Sequence, residues 1–142
     1  DYEIESYNGT TGLVAWVRIP ILSSTADTEI YMYYGNAAAP DGQNPEGVWT
    51  EGYRAVYHLE ETGSIFDDST ARDLDGSVSS GTTSVSGLIG GARDFEETSA
   101  DSIDLGTDQN YLKATSVGTL SAWINPETLS GDGAIVGVAV GD

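Results

Sequence analysis

The chain has 142 residues, with 5 Lys and Arg against 23 Asp and Glu, a formal net charge of −18 and no cysteine. Such a field repels phosphate backbones and anionic lipid, which argues against nucleic-acid binding and adsorption to a membrane surface. The missing cysteine excludes disulfides, thiolate metal sites and a cysteine nucleophile, and no run is long and apolar enough to span a bilayer as a helix.

Eighteen glycines and abundant Ser and Thr indicate many turns. No window keeps helical periodicity over three turns, while short alternating apolar runs recur, so the expected class is all-β. In residues 1–12, DYEIESYNGTTG, the apolar Tyr2, Ile4 and Tyr7 alternate with acids, as in a strand with one wet face. Asn8-Gly9 is a hairpin-turn dipeptide because both positions tolerate positive φ. Asn8-Gly9-Thr10 is also an N-glycosylation sequon, which makes Asn8 the candidate glycosylation site.

The run LVAWVRIPIL (residues 13–22) is the most apolar stretch. As a strand it places Leu13, Ala15, Val17 and Ile19 on one face and Val14, Trp16 and Arg18 on the other, ending near Pro20. A polar loop leads to IYMYYGN (residues 30–36), read as a second strand that Gly35-Asn36 stops. Trp16, Tyr31 and Tyr33 are candidate ligand-binding residues, because aromatic faces suit the apolar faces of sugar rings. The competing reading makes the tyrosines half-buried strand residues. Residues 37–52 carry two prolines and three glycines without periodicity, and residues 40–52 are the expected linker, with Val48-Trp49 as a plug between two units.

Strand character resumes with Ala55, Tyr57 and Leu59. His58 is the only histidine. As a general base it would need a partner held in a cleft, and a packed strand residue is the plainer reading. Glu60 and Glu61 are adjacent, so on a strand they face opposite ways and cannot flank one glycosidic bond. Asp67, Asp68, Asp73 and Asp75 follow in a polar loop, and Asp104 comes later. These five are the candidate metal ligands, with calcium as the cofactor that hard carboxylate oxygens would take. Their spacing is not that of a helical calcium-hand loop, and aspartates forming Asx-type turns explain the same residues. Further strands are expected around Ala92 to Leu105, at residues 119–126 (TLSAWINP) and at residues 134–140 (AIVGVAV).

The ordered set Tyr57-His58-Leu59-Glu60-Glu61, Asp67-Asp68-Ser69, Asp75-Gly76, Gly90-Gly91-Ala92 with Phe95, Asp101-Ser102-Ile103-Asp104-Leu105 and Leu120-Ser121-Ala122-Trp123-Ile124-Asn125-Pro126 resembles the first half of a laminin-G-like, concanavalin A-type jelly roll. The resemblance covers about residues 53–142. Residues 1–39, with Val14-Ala15-Trp16-Val17-Arg18-Ile19-Pro20 and Tyr33-Tyr34-Gly35-Asn36, resemble the closing strands of an uncharacterised β-domain. That domain commonly precedes such modules in bacterial and archaeal surface proteins.

The resemblance implies a β-sandwich of jelly-roll type, apparently incomplete, after a small N-terminal β segment. It also implies a secreted or cell-surface location within a larger multidomain protein. The expected function is binding or adhesion to a glycan or a surface protein. The alternative is a structural part of a fibre, sheath or pilus-like assembly, with copies of the chain, or the rest of a longer chain, completing the sheets. Enzymatic activity is not expected. Glu3-Ile4-Glu5 has part of the alternating carboxylate spacing of a glycoside hydrolase strand, but it lacks a third acid.

Overall fold

The computed structural model describes residues 1–10, 12–50, 52–106, 117–128 and 134–137. Residues 138–140 of the last expected strand lie outside that set. The architecture is all-β, with three small antiparallel sheets, one short α-helix and one 3-10 turn among the described residues.

The first sheet is the hairpin β1 (Tyr2–Asn8) and β2 (Gly12–Val17), in register Tyr2↔Val17, Glu3↔Trp16 and Ile4↔Ala15. The turn forms because the Asn8 side chain closes on the backbone, its Oδ1 accepting from Thr10 N at 2.8 Å. The register slips between Ile4 and Ser6, so Glu5 is the bulged residue. The faces of β1 are reversed from the simplest reading of its alternation. Tyr2, Ile4 and Tyr7 are exposed, and Glu3 and Glu5 turn inward, with Glu5 only 6% exposed.

Gln43, Asn44 and Trp49 are hydrogen-bonded onto this hairpin. Asn44 donates its backbone N–H to the Tyr2 carbonyl at 2.9 Å and its side-chain amide to Asp1 at 2.9 Å. Asn44 then caps α1 (Pro45–Val48), accepting from Gly47 N at 3.2 Å, with proline in the first turn. Gly47 is a matter of close approach. A Cβ there would stand 2.3 Å from Asn44 Nδ2 and 2.6 Å from Asp1 Cγ. Val48 is buried and Trp49 turns toward Trp16.

The second sheet has the order β3 (Ile65–Phe66), β4 (Gly76–Ser80), β7 (Ser102–Asp104). The third is the hairpin β5 (Thr83–Ser86) and β6 (Gly91–Asp94). Phe66 is fully buried, and Arg93 covers it with the guanidinium 5.0 Å from the ring centroid. The same guanidinium donates to the Thr82 carbonyl at 2.6 Å and the Glu61 carbonyl at 3.1 Å, and its contact with Phe66 of β3 ties the third sheet to the second.

Among the described residues the buried apolar side chains are Val48 and Phe66, whereas Glu5, Asp68, Thr70 and Thr82 are buried polar groups. Hydrogen bonding therefore organises this interior as much as apolar packing does.

Three expected strands are corrected. Residues 30–36 and 119–126 run without ladder partners, and every residue from 19 to 44 and from 117 to 128 is exposed. Their alternating apolar pattern needs a neighbouring strand and a covering layer, and no described residue supplies either. The stretch Ala55 to Leu59 is not a ladder strand either. A loop holds it, with Val56 N donating to Asp68 Oδ1 at 3.0 Å and Ser69 N to the Val56 carbonyl at 2.9 Å. Leu59 ends it in the left-handed region at φ 61°.

Candidate functional site

Glu3 and Glu5 project from β1 toward His58, and the three side chains form one charged centre. His58 Nδ1 lies 2.5 Å from Glu5 Oε2, and His58 Nε2 lies 3.2 Å from Glu3 Oε2. Neutral donors also reach the two carboxylates. Trp16 Nε1 donates to Glu5 Oε2 at 2.6 Å, Trp49 Nε1 to Glu3 Oε2 at 2.5 Å and Ser69 Oγ to Glu3 Oε1 at 2.7 Å. Five segments therefore meet on two carboxylates: β1, β2, the turn at Trp49 after α1, the His58 stretch and the loop at Ser69.

Local backbone rules put each group there. Two-residue spacing along β1 puts both acids on the same side of the strand, and Glu5 is the bulged residue. Leu59 holds a left-handed φ beside His58, an arrangement that a side-chain-bearing residue keeps only when its surroundings enforce it, and one that concentrates at functional sites. The turn between β5 and β6 closes over the centre. A Cβ at Gly90 would stand 2.6 Å from Glu5 Oε1, and one at Gly91 would stand 2.7 Å from Glu60 Cα. Gly90 also has φ 64°, so two independent constraints favour glycine there.

On its outer side the centre carries an aromatic cleft. Trp16 and Trp49 pack with ring centroids 5.3 Å apart, and Trp49 meets Tyr53 edge-on at 5.1 Å. With Val17, Arg18, Val48 and Thr50 these rings line a cleft of about 430 Å³, within the size range of small-ligand sites. Arg18 stands in the wall, only loosely paired with Asp1 at 4.0 Å.

Of the three aromatic candidates, Trp16 is in this cleft. Tyr31 and Tyr33 are not among its lining residues. Tyr33 is 93% exposed, and the Tyr31 hydroxyl donates to Glu29 at 2.6 Å. That hydrogen bond raises the Tyr31 pKa above the ordinary phenol range.

Asp68 is buried and serves as an acceptor hub. Its oxygens take the backbone N–H groups of Val56, Thr70 and Leu74 and the Thr70 hydroxyl, at 2.9–3.2 Å. Asp75 accepts from Asp68 N at 2.9 Å. Asp67 and Asp73 are exposed in the loop, and exposed Asp104 accepts from Gly106 N at 2.8 Å. Among the described residues, the acidic oxygens that do lie within 4.8 Å of one another belong to Asp94, Glu96 and Glu127. Asn8 is exposed at the tip of the first hairpin.

Glu3, Glu5, Trp49 and Tyr53 were not among the candidate binding residues. The signal that could have found them is chemical: an indole N–H taken out of water needs an acceptor, and carboxylates with partners can be buried.

Glu60 borders the same centre. Partial desolvation raises its pKa, and the negative charge of Glu5 adds to this. His58 acts in the opposite sense, and Glu61 and Glu3 raise the pKa further. The native chain therefore holds the Glu60 proton more tightly than the unfolded chain does. Stability falls as pH climbs from the ordinary carboxylate range through the raised value, then levels off. Glu60→Gln removes this decline, so the melting-temperature advantage of the variant over the parent should grow between pH 4 and pH 7. An advantage that stays flat across that interval would contradict the assignment.

The family model described as "Domain of unknown function (DUF2341)" matches residues 1–81, which is more than half of the chain and contains Glu3, Glu5, Trp16, Trp49, Tyr53 and His58. No curated protein and no solved structure matches. The chain belongs to the DUF2341 family of domains of unknown function.

Proposed function

We propose that this chain is a binding module of a secreted or cell-surface protein, and that its ligand is a glycan held in the Trp16–Trp49–Tyr53 cleft. The observation that carries this reading is the cleft itself: adjoining aromatic rings on a charged, hydrogen-bonded base, with polar groups at the rim. The apolar C–H face of a sugar ring packs against an aromatic face. Arg18 and Thr50 offer donors to its hydroxyls. The net charge of −18 selects against anionic ligands and leaves neutral sugars unpenalised.

On this reading residues 53–142 contribute strands to a jelly-roll sandwich, and the acts of the module are recognition and adhesion rather than catalysis. A glycan array followed by calorimetry tests it. Neutral oligosaccharides should bind, and Tyr53→Ala should weaken them by about tenfold or more, the scale of one lost ring contact. Tyr53 makes no bond to Glu3, Glu5 or His58, so this variant spares the charged centre. An array without hits, or affinity untouched by the substitution, would contradict the proposal.

A second reading rests on a different observation. The apolar residues of 19–44 and 117–128 stand exposed, Ile21 at 80% and Trp123 at 78% among them. Extended, alternating segments of this kind accept a further strand from another chain, with main-chain bonds supplying cohesion. A structural subunit closed by its neighbours would use them in this way. Sedimentation of the 142-residue chain should then show concentration-dependent association, and Tyr33→Lys should suppress it. A monomer at all concentrations would rule the reading out.

A further inference from the structure

We infer that the proton count of His58 regulates the aromatic cleft, so that the ligand site proposed above is open or formed according to pH. The inference deepens that reading and rests on it for its function, although its geometry stands apart. Both ring nitrogens face carboxylate oxygens, at 2.5 Å and 3.2 Å. A carboxylate is acceptor-only, so only a doubly protonated ring donates to both. Each carboxylate also anchors one wall of the cleft, Glu5 through Trp16 and Glu3 through Trp49.

Loss of one ring proton leaves a nitrogen lone pair against a carboxylate in a partly desolvated site. The shorter contact is at Nδ1, so the proton kept is the one donated to Glu5, and the one released is at Nε2. Trp16 then stays in place, while the Glu3 carboxylate loses its cationic partner and loosens its hold on Trp49. Glu3 and Glu5 face the ring from β1, Glu60 and Glu61 adjoin it on its own segment, and β2 and the turn after α1 contribute uncharged Trp16 and Trp49. Arg18 stands in the cleft wall and is paired with Asp1.

Tryptophan emission of the ligand-free chain reads the change directly. Between about pH 5 and pH 8, the emission maximum should move to longer wavelength in the parent, in Trp16→Phe and in Glu60→Gln. It should stay fixed in His58→Gln and Trp49→Phe. A shift that survives His58→Gln, or vanishes in Glu60→Gln, overturns the inference.

Nitrogen-15 NMR of the parent ring covers the case of a variant that does not fold. Both nitrogens should be protonated at the acid end and only Nδ1 at the alkaline end. A ring that retains the Nε2 proton instead overturns the inference. Because neither readout uses a sugar, absence of glycan binding bears on the proposed function and not on the switch. Where a glycan binds, its affinity should fall between those two pH values in the parent and stay level in His58→Gln.

Discussion

The pairing of Glu5 with His58 is the constraint on which the rest of this structure depends. A carboxylate 6% exposed is stable only when its charge is matched and its oxygens are hydrogen-bonded. His58 and Trp16 are the partners that Glu5 finds. Glu3, on the same strand, takes His58, Trp49 and Ser69. Removing one member of such a group leaves an uncompensated charge, which costs more than the intact group contributes. The positions of β1, β2, α1 and the loop at Ser69 are therefore mutually enforced. Asp68 does the same for the backbone behind this centre, and Arg93 for the sheets beyond it.

This arrangement explains why the fold class was legible in the sequence while the site was not. Alternation, turn dipeptides and glycine spacing depend on near neighbours, so the all-β class and the hairpin at Asn8-Gly9 follow from local rules. The reversed faces of β1 do not. In YEIESYN the apolar residues look like the buried set, and only a partner 55 residues away in the chain, His58 beside Glu3, makes burial of the acids the better choice. Trp16 could be singled out because aromatic residues suit ligands. Trp49 lies in a stretch rich in proline and glycine, where periodicity carries no information. Its role becomes visible only once α1 docks on Tyr2.

Tyr31 and Tyr33 show the complementary failure. Their alternation is sound β patterning, but a strand is defined by its neighbours, and no described residue pairs with them. The same holds for Leu120 and Trp123. The two segments carry much of the exposed apolar surface of the chain, and the proposed sandwich and the proposed assembly are two ways of covering it. The cleft belongs to the portion that matches the DUF2341 family, and the exposed segment at residues 117–128 falls outside it.

The central claim is that the inward acids of β1 and His58 act as one unit. A double-mutant cycle of Glu5→Gln and His58→Gln, read by chemical denaturation at neutral pH, measures that directly. The account predicts a coupling energy of about 1.5–3 kcal/mol between the two positions. Effects that add to within about 0.5 kcal/mol would show two independent side chains and contradict it.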